Sequence, residues 1–363
     1  MKFILTADDY GVSPIIDDAI EEAIEKGLVT SVAAFANIPG NKKGEKLSFD
    51  VSKVAALQKK YPHISVGLHL SLTSGPRVAD HTTSLSPNFF GKRLRRFKGP
   101  ITQMGKVKAS HVYDEIKAQI KLFQDAGIEI QHFSDHHGVL SHTKVGRKML
   151  YRAVSEYNKS VNRAVSIRNP LFISTLIRDH ENELDMSNAR KKALVPLAIK
   201  NAFRFVFRSG RHRNRGKYHM SLKQQLHFLQ EMNIVGIPTT DYFIDTFWGC
   251  KEEEDVKNTF NKENFNINPD LMYPLNKEER TAEVMLHIAK SKADFNGNYK
   301  KELKRIKKRK GVDPRYVKGG RLDEARLLHD FLDRYLARED RVSFKAYMTS
   351  RISLADRVAA VSD

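Results

Sequence analysis

Two adjacent carboxylates, Asp8 and Asp9, close a short apolar run, Phe3-Ile4-Leu5. Further along, His69, the pair His136-His137, Asp241 and His287 each fall where a strand-like run gives way to a loop. One carboxylate and two imidazoles are a workable donor set for a divalent ion that keeps positions open for water and substrate. Such an ion lowers the pKa of its water toward neutrality and polarises a carbonyl oxygen. A second carboxylate could accept the water's proton, and a histidine opposite could protonate the leaving group. That is a complete kit for hydrolysing an amide or ester. Taken singly, the same residues have plainer readings. An Asp-Asp pair caps a turn, and a lone His69 packs at a rim. His137 and His142 read as surface or supporting donors, and His132 reads as core. Only the combination carries chemistry.

The elements that must position these residues alternate between strand and helix. The opening strand turns at Gly11, and Ser13-Pro14 starts a helix whose apolar residues Ile15, Ile16, Ala19, Ile20, Ala23 and Ile24 recur at three- and four-residue spacing. Strands are predicted over 32–38, 64–72, 128–134, 165–168, 234–237 and 283–287, with a last short one at 342–347. In the second of these, alternation puts Val66, Leu68, Leu70 and Leu72 on one face and His69 on the other. Helices are predicted over 51–60, 112–126, 144–157, 222–232, 298–310 and 322–337. The order strand, loop, helix, with about seven strands, predicts a parallel α/β fold, as a barrel or an open sheet. In either, polar groups at strand ends gather on one rim. Adjacent strand residues project to opposite sides, so Asp8 and Asp9 are expected to diverge. Neither a dinucleotide fingerprint nor a phosphate-binding P-loop is present.

Composition sets bounds. The 363 residues are 40% hydrophobic, enough for a large core. No run of about 18 apolar residues indicates a membrane span, and the first residues lack a signal-peptide pattern, so a cytoplasmic location is expected. The single Cys250 leaves no internal disulfide and no cysteine-based zinc site. The net charge is +19, concentrated in Lys92–Lys98, Arg190–Lys217 and Lys300–Lys310. Such clusters attract an acidic glycan, an anionic membrane surface or nucleic acid, or are simply solvated. No zinc-finger, RNA-binding aromatic or basic-zipper pattern points to specific nucleic-acid recognition.

Several segments resemble the YdjC-like carbohydrate deacetylase family. TADDYGVS with the following KGLVTSVAAFAN is similar to the family's opening. VGLHLSLTSGPRV and HFSDHHGV are similar to its two histidine blocks. IRNP, AEVMLHIA and GGRLDEARLL resemble later motifs. The resemblance implies a deformed, TIM-like (β/α) barrel of parallel strands, related to polysaccharide deacetylases. It implies removal of acetyl groups from N-acetylated sugars of a glycan or glycoconjugate with one divalent metal ion. Carried over by position, Asp9, His69 and His136 would be metal ligands, Asp8 the general base, His287 the general acid, and Arg168 the residue that holds Asp8. Zinc or magnesium fits best, with manganese or cobalt as further options. The chain departs from the family in reading Ser134-Asp135 in the reverse order, in Gly138 where the block has a second histidine, and in Ile288 after the late histidine. The expected organisation is one domain over residues 1–347, with a basic insertion or lid at about 178–220 and a tail at 348–363. Two rival functions follow from the residues: another metal hydrolase acting on an ester or phosphate, or a nucleic-acid or anionic-lipid binding protein with a vestigial site. The sugar, the linkage and the oligomeric state are left open.

Overall fold

The computed structural model describes residues 1–39, 48–85, 107–141, 143–170, 227–245, 247, 250–261, 280–308 and 317–349, and the backbone of 88–89, 92–93 and 222–226. The expected insertion at 178–220, His142, most of the tail and two of the three basic clusters in whole or large part lie outside these residues.

The opening strand β1 (Lys2–Tyr10) is buried from Phe3 onward. A segment covered on both faces belongs in the middle of a parallel sheet, and β1 sits there. Around it run β2 (Ser31–Ala34), β3 (Ser65–Leu70), the small antiparallel pair β4 (Asn88–Phe89) and β5 (Lys92–Arg93), then β6 (His132–Asp135), β7 (Ser166–Ile167), β8 (Tyr242–Ile244) and β9 (Thr281–Leu286). Seven of these make one parallel sheet in the order β7-β6-β3-β2-β1-β9-β8. The sheet curls until its outer edges meet. The Ile167 amide, on β7, donates to the Pro238 carbonyl on the approach to β8 at 3.0 Å, and the Asn169 side chain donates to the Thr240 carbonyl at 2.7 Å. This is the deformed (β/α) barrel.

The helices connecting the strands are α1 (Pro14–Glu25), α2 (Ser52–Lys60), α3 (Ala109–Asp125), α4 (Lys144–Val161), α5 (Leu222–Ile234), α6 (Glu253–Phe260), α7 (Tyr299–Lys308) and α8 (Gly320–Tyr335). The apolar stripe expected on α1 is the buried one, with Ile15, Ile16, Ala19, Ile20, Ala23 and Ile24 all in the core. Ser13 caps the helix, its side chain accepting the Ile15 amide at 3.4 Å.

Two expected strands fold otherwise. Residues 234–237 end α5 instead. Gly236 takes φ 67°, and the Ile237 amide returns to the Met232 carbonyl at 3.0 Å, closing the helix as a left-handed glycine does. The strand comes later, at Tyr242–Ile244, so Asp241 precedes a strand rather than following one. Its carboxylate accepts the Thr281 amide at 2.8 Å, at the end of the sheet opposite the rim. At the other position, 342–347, the chain makes a single bridge between Arg341 and Phe3 and then turns helical over 344–349. Phe344 there is fully buried and stacks on His132 with ring centroids 4.3 Å apart. Gly67 makes room for that imidazole: a Cβ at this position would lie 2.3 Å from the His132 ring.

Candidate metal centre and active site

β1 does not stay regular to its end. Its pairing with β2 slips between Asp8 and Tyr10, and Asp9 sits at φ 74°. A bulge re-aims a side chain, and this one reverses the expected divergence of the two carboxylates. Both are buried and both face His69, whose Nε2 lies 3.9 Å from Asp8 Oδ2 and 3.5 Å from Asp9 Oδ1. The turn that follows depends on Gly11, at φ 91°, where a Cβ would meet Ile38 at 2.3 Å. Asp17 on α1 accepts the Gly11 amide at 2.8 Å.

His69 arrives on β3 and His136 on the turn after β6. Each imidazole is fixed through Nδ1: His69 lies 2.7 Å from Ser134 Oγ, and His136 lies 2.9 Å from Thr73 Oγ1. Anchoring one ring nitrogen aims the other. Both Nε2 atoms therefore point at Asp9 Oδ1, His136 from 3.8 Å. Phe35 packs edge-on against both rings, with centroids 5.1 and 5.2 Å away. Asp9 Oδ1 is buried and accepts no hydrogen bond, which is costly for a carboxylate oxygen unless a cation completes it. Bonds of about 2.1 Å to a tetrahedral ion separate its donors by about 3.4 Å, close to the spacings here. The donor set fits a divalent ion.

Counter-charges surround the pair. Arg168, just past β7, forks onto Asp8 with Nη1 to Oδ2 at 2.7 Å and Nη2 to Oδ1 at 2.8 Å. It also donates from Nε and Nη2 to Glu283 Oε1 at 2.9 and 2.7 Å, and lies 4.9 Å from the centre of the Phe243 ring. Burial alone would raise the Asp8 pKa, but the Arg168 and His69 charges pull it below the usual carboxylate value. Glu283 is shifted the other way, because burial outweighs its share of Arg168. Arg321 on α8 binds the outer oxygen of Asp9. Against the cost of burial, it and the two histidines hold Asp9 well below the ordinary range. His287 follows β9 and is half-buried. Its backbone amide donates to Glu324 Oε2 at 2.7 Å. Burial, then the Arg321 charge, push its imidazole down to about 4.

Six of the residues singled out in the sequence thus gather at one rim: Asp8, Asp9, His69, His136, Arg168 and His287. Asp241 does not join them. Sequence reasoning gave no role to Glu283, Arg321 or Glu324, although AEVMLHIA and GGRLDEARLL contain them. The signal was an acid inside an otherwise apolar strand and an Arg-x-x-Glu pair on a helix. Ser134 and Thr73 carried no signal, since a serine or threonine near a histidine is common. The reversed Ser134-Asp135 order has a structural result. Ser134 faces His69, while Asp135 turns away to accept the Leu140 amide at 2.7 Å and the Ser141 hydroxyl at 2.7 Å.

The chain matches the family model of YdjC-like proteins over residues 2–330. A carbohydrate deacetylase of Listeria monocytogenes serotype 4a is 34% identical over 139 residues, 38% of this chain and 52% of that protein. One from Brevibacillus brevis is 28% identical over 175 residues, 48% of this chain and 62% of that protein. The chain therefore spans about half the length of the curated relatives it matches. A crystal structure from Enterococcus faecalis V583, named as a candidate cellobiose-phosphate cleavage protein, superposes with a TM-score of 0.57 at 16% identity, covering 96% of this chain and 98% of that one. That likeness shows the shared fold. Because the family model is matched over residues 2–330, nearly the whole chain, this chain belongs to the YdjC-like protein family.

Proposed function

We propose that the protein is a divalent-metal-dependent carbohydrate deacetylase that releases acetate from an N-acetylated sugar of a glycan or glycoconjugate. The observation that carries this reading is the buried, hydrogen-bond-free Asp9 Oδ1 facing His69 Nε2 and His136 Nε2, with a second ionised carboxylate, Asp8, beside it. The relatives named carbohydrate deacetylase support the substrate class.

Asp9, His69 and His136 would hold the ion, zinc before magnesium on donor spacing, with manganese and cobalt open. The ion would supply Lewis-acid polarisation of the acetamide carbonyl and a more acidic water. The remaining work belongs to the chain. Arg168 keeps Asp8 ionised and fixes its plane, so Asp8 can accept the proton of the attacking water. His287 is neutral at pH 7 by its lowered pKa. To serve as general acid, neutral His287 would first take up a proton, the one Asp8 accepts from the water, and would then give it to the leaving nitrogen, so that the water's proton ends on the released amine. Arg321 balances the outer oxygen of Asp9, and Phe35 shields the two imidazoles from water.

Acetate release from chitooligosaccharides, with zinc, magnesium, manganese or cobalt added to metal-stripped protein, tests the reading. Metal content of wild type and His69→Ala is measured in parallel. Phosphate release from a sugar phosphate without acetate release would move the protein to a different hydrolase class. Equal metal content in both proteins would remove His69 from the site.

A further inference from the structure

Across most of the described surface, lysines and arginines sit beside acids: Lys60 with Glu21 and Glu25, Lys117 and Arg152 with Glu156, Lys121 with Asp125, Arg334 with Glu253. Helix α7 is different. Lys300, Lys301, Lys304, Arg305, Lys307 and Lys308 are all exposed within nine residues. Among the described residues only Arg305 meets a carboxylate, Glu302 at 3.7 Å. Like charges three and four apart oppose the helix they sit on, and Lys300/Lys304, Lys301/Arg305 and Lys304/Lys308 are such pairs. The helix stands on its anchors instead. Tyr299 and Ile306 are buried, Leu303 packs on the core, and Asn298 caps the first turn by accepting the Lys301 amide at 3.0 Å.

Those anchors tie the basic face to the rim. Glu302, in the first turn of α7, accepts the Ser13 hydroxyl at 3.3 Å, and Ser13 lies four residues beyond Asp9. The Lys290 amide, between His287 and α7, donates to the Ile15 carbonyl at 2.9 Å. The cationic stretch therefore begins beside the loop that carries the metal-ligand carboxylate, and Lys300 to Lys308 extends it by about 12 Å.

From this placement we infer that the exposed face of α7 binds the anionic groups of an acidic glycan chain whose N-acetylated unit enters the rim. The inference rests on the deacetylase reading and names the substrate class within it. Single ammonium charges on flexible stems suit carboxylates or phosphates scattered along a sugar chain, with no fixed bidentate geometry required. A helix that lies in a membrane interface presents apolar residues for insertion. Here every apolar side chain of α7 turns inward, which favours a soluble polyanion over a bilayer.

The test compares the wild-type protein with Lys300→Glu/Lys301→Glu/Lys304→Glu, three exposed positions outside the catalytic machinery. Binding to a hyaluronan oligosaccharide and to neutral chitohexaose is measured at about 20 and 200 mM salt, since such contacts weaken as salt screens them. Wild type should bind the acidic chain at least about tenfold more tightly at low salt, with a steep salt dependence. The triple variant should lose that preference while binding chitohexaose and releasing acetate from it as wild type does. Equal binding of hyaluronan by both proteins overturns the inference. So does binding by wild type to phosphatidylglycerol vesicles alone. Absence of acetate release from either glycan in any metal, with the binding difference intact, would instead fault the deacetylase reading.

Discussion

Arg168→Met removes the guanidinium that serves two buried acids at once. Four donated hydrogen bonds disappear, two on Asp8 and two on Glu283. All three side chains are nearly inaccessible to water, so solvent cannot substitute. Breaking a buried pair by deleting one partner costs about 3–5 kcal/mol, so Tm should fall on the order of 10 °C. The acids then relieve the cost by taking up protons. With Arg168 gone, burial is left as the strongest influence on Asp8 and raises its pKa. A raised pKa means the base is ionised only at higher pH, so the activity profile should move to the alkaline side. At neutral pH the loss should approach that of a missing general base, about 100- to 10,000-fold. The double variant Arg168→Met/Glu283→Met separates the two effects. It relieves Glu283 of its missing partner but leaves Asp8 without one, so it should recover only part of the stability. It should not recover neutral-pH activity. Acetate release from pH 5 to 10 and thermal melts on both variants give the answer. Near wild-type turnover at pH 7 in the single variant would refute the idea that Arg168 keeps Asp8 charged.

Asp8→Asn should keep its metal and lose most turnover, whereas Asp9→Asn should lose metal first and regain part of its activity in excess metal; metal stoichiometry with acetate release decides, and the reverse pattern would swap the roles. Ser134→Ala frees the His69 ring at Nδ1 and should weaken metal affinity about 10- to 100-fold, read by competition with a chromogenic chelator. Asp17 has its folded pKa raised from 3.8 to about 7 by burial, only partly offset by the Gly11 amide and Lys53, while Asp18 and Glu21 push it further up. The stability from its protonated form is complete below pH about 4 and lost as pH rises through about 7, at most about 4 kcal/mol. Asp17→Asn keeps the acceptor for Gly11, so urea melts should show a shallower decline across that window than wild type.

The rim carrying Asp9, His69 and His136 was legible in the sequence because each of these residues follows an apolar run with strand character. β3 is the clearest case: alternation alone put His69 inward. What it hid were features that depend on partners far along the chain. The bulge at Asp9 has no local signature, since any aspartate can adopt that φ, and only the pairing with β2 reveals it. The expected strand at 234–237 failed because a four-residue apolar run reads the same at a helix end. There, Ile234 is 84% exposed. Glu283 and Arg321 were visible as residues but not as counter-ions. Their opposite numbers lie 115 and 312 positions away, and charge complementarity at that range leaves no pattern in one sequence.

The place of β1 in the sheet also sets a timetable. It is made before β2 to β9, yet it pairs with β9 from Lys2↔Thr281 onward, roughly 280 residues later in the chain. At ribosomal speeds of about 5–20 residues per second, its second edge waits on the order of 15–55 s. Once β7 is made, Asp8 and Asp9 have both histidines and Arg168 in the chain, but not yet Glu283 or Arg321. A nascent chain therefore carries an open, apolar strand edge next to Asp9, whose arginine is still to be made, the situation in which misfolding competes. Completion of the sheet and the counter-charge of Asp9 arrive nearly together, with β9 and α8. Productive folding is thus gated by the C-terminal third, and destabilising changes in β9 should reduce soluble yield more than equal changes in β7.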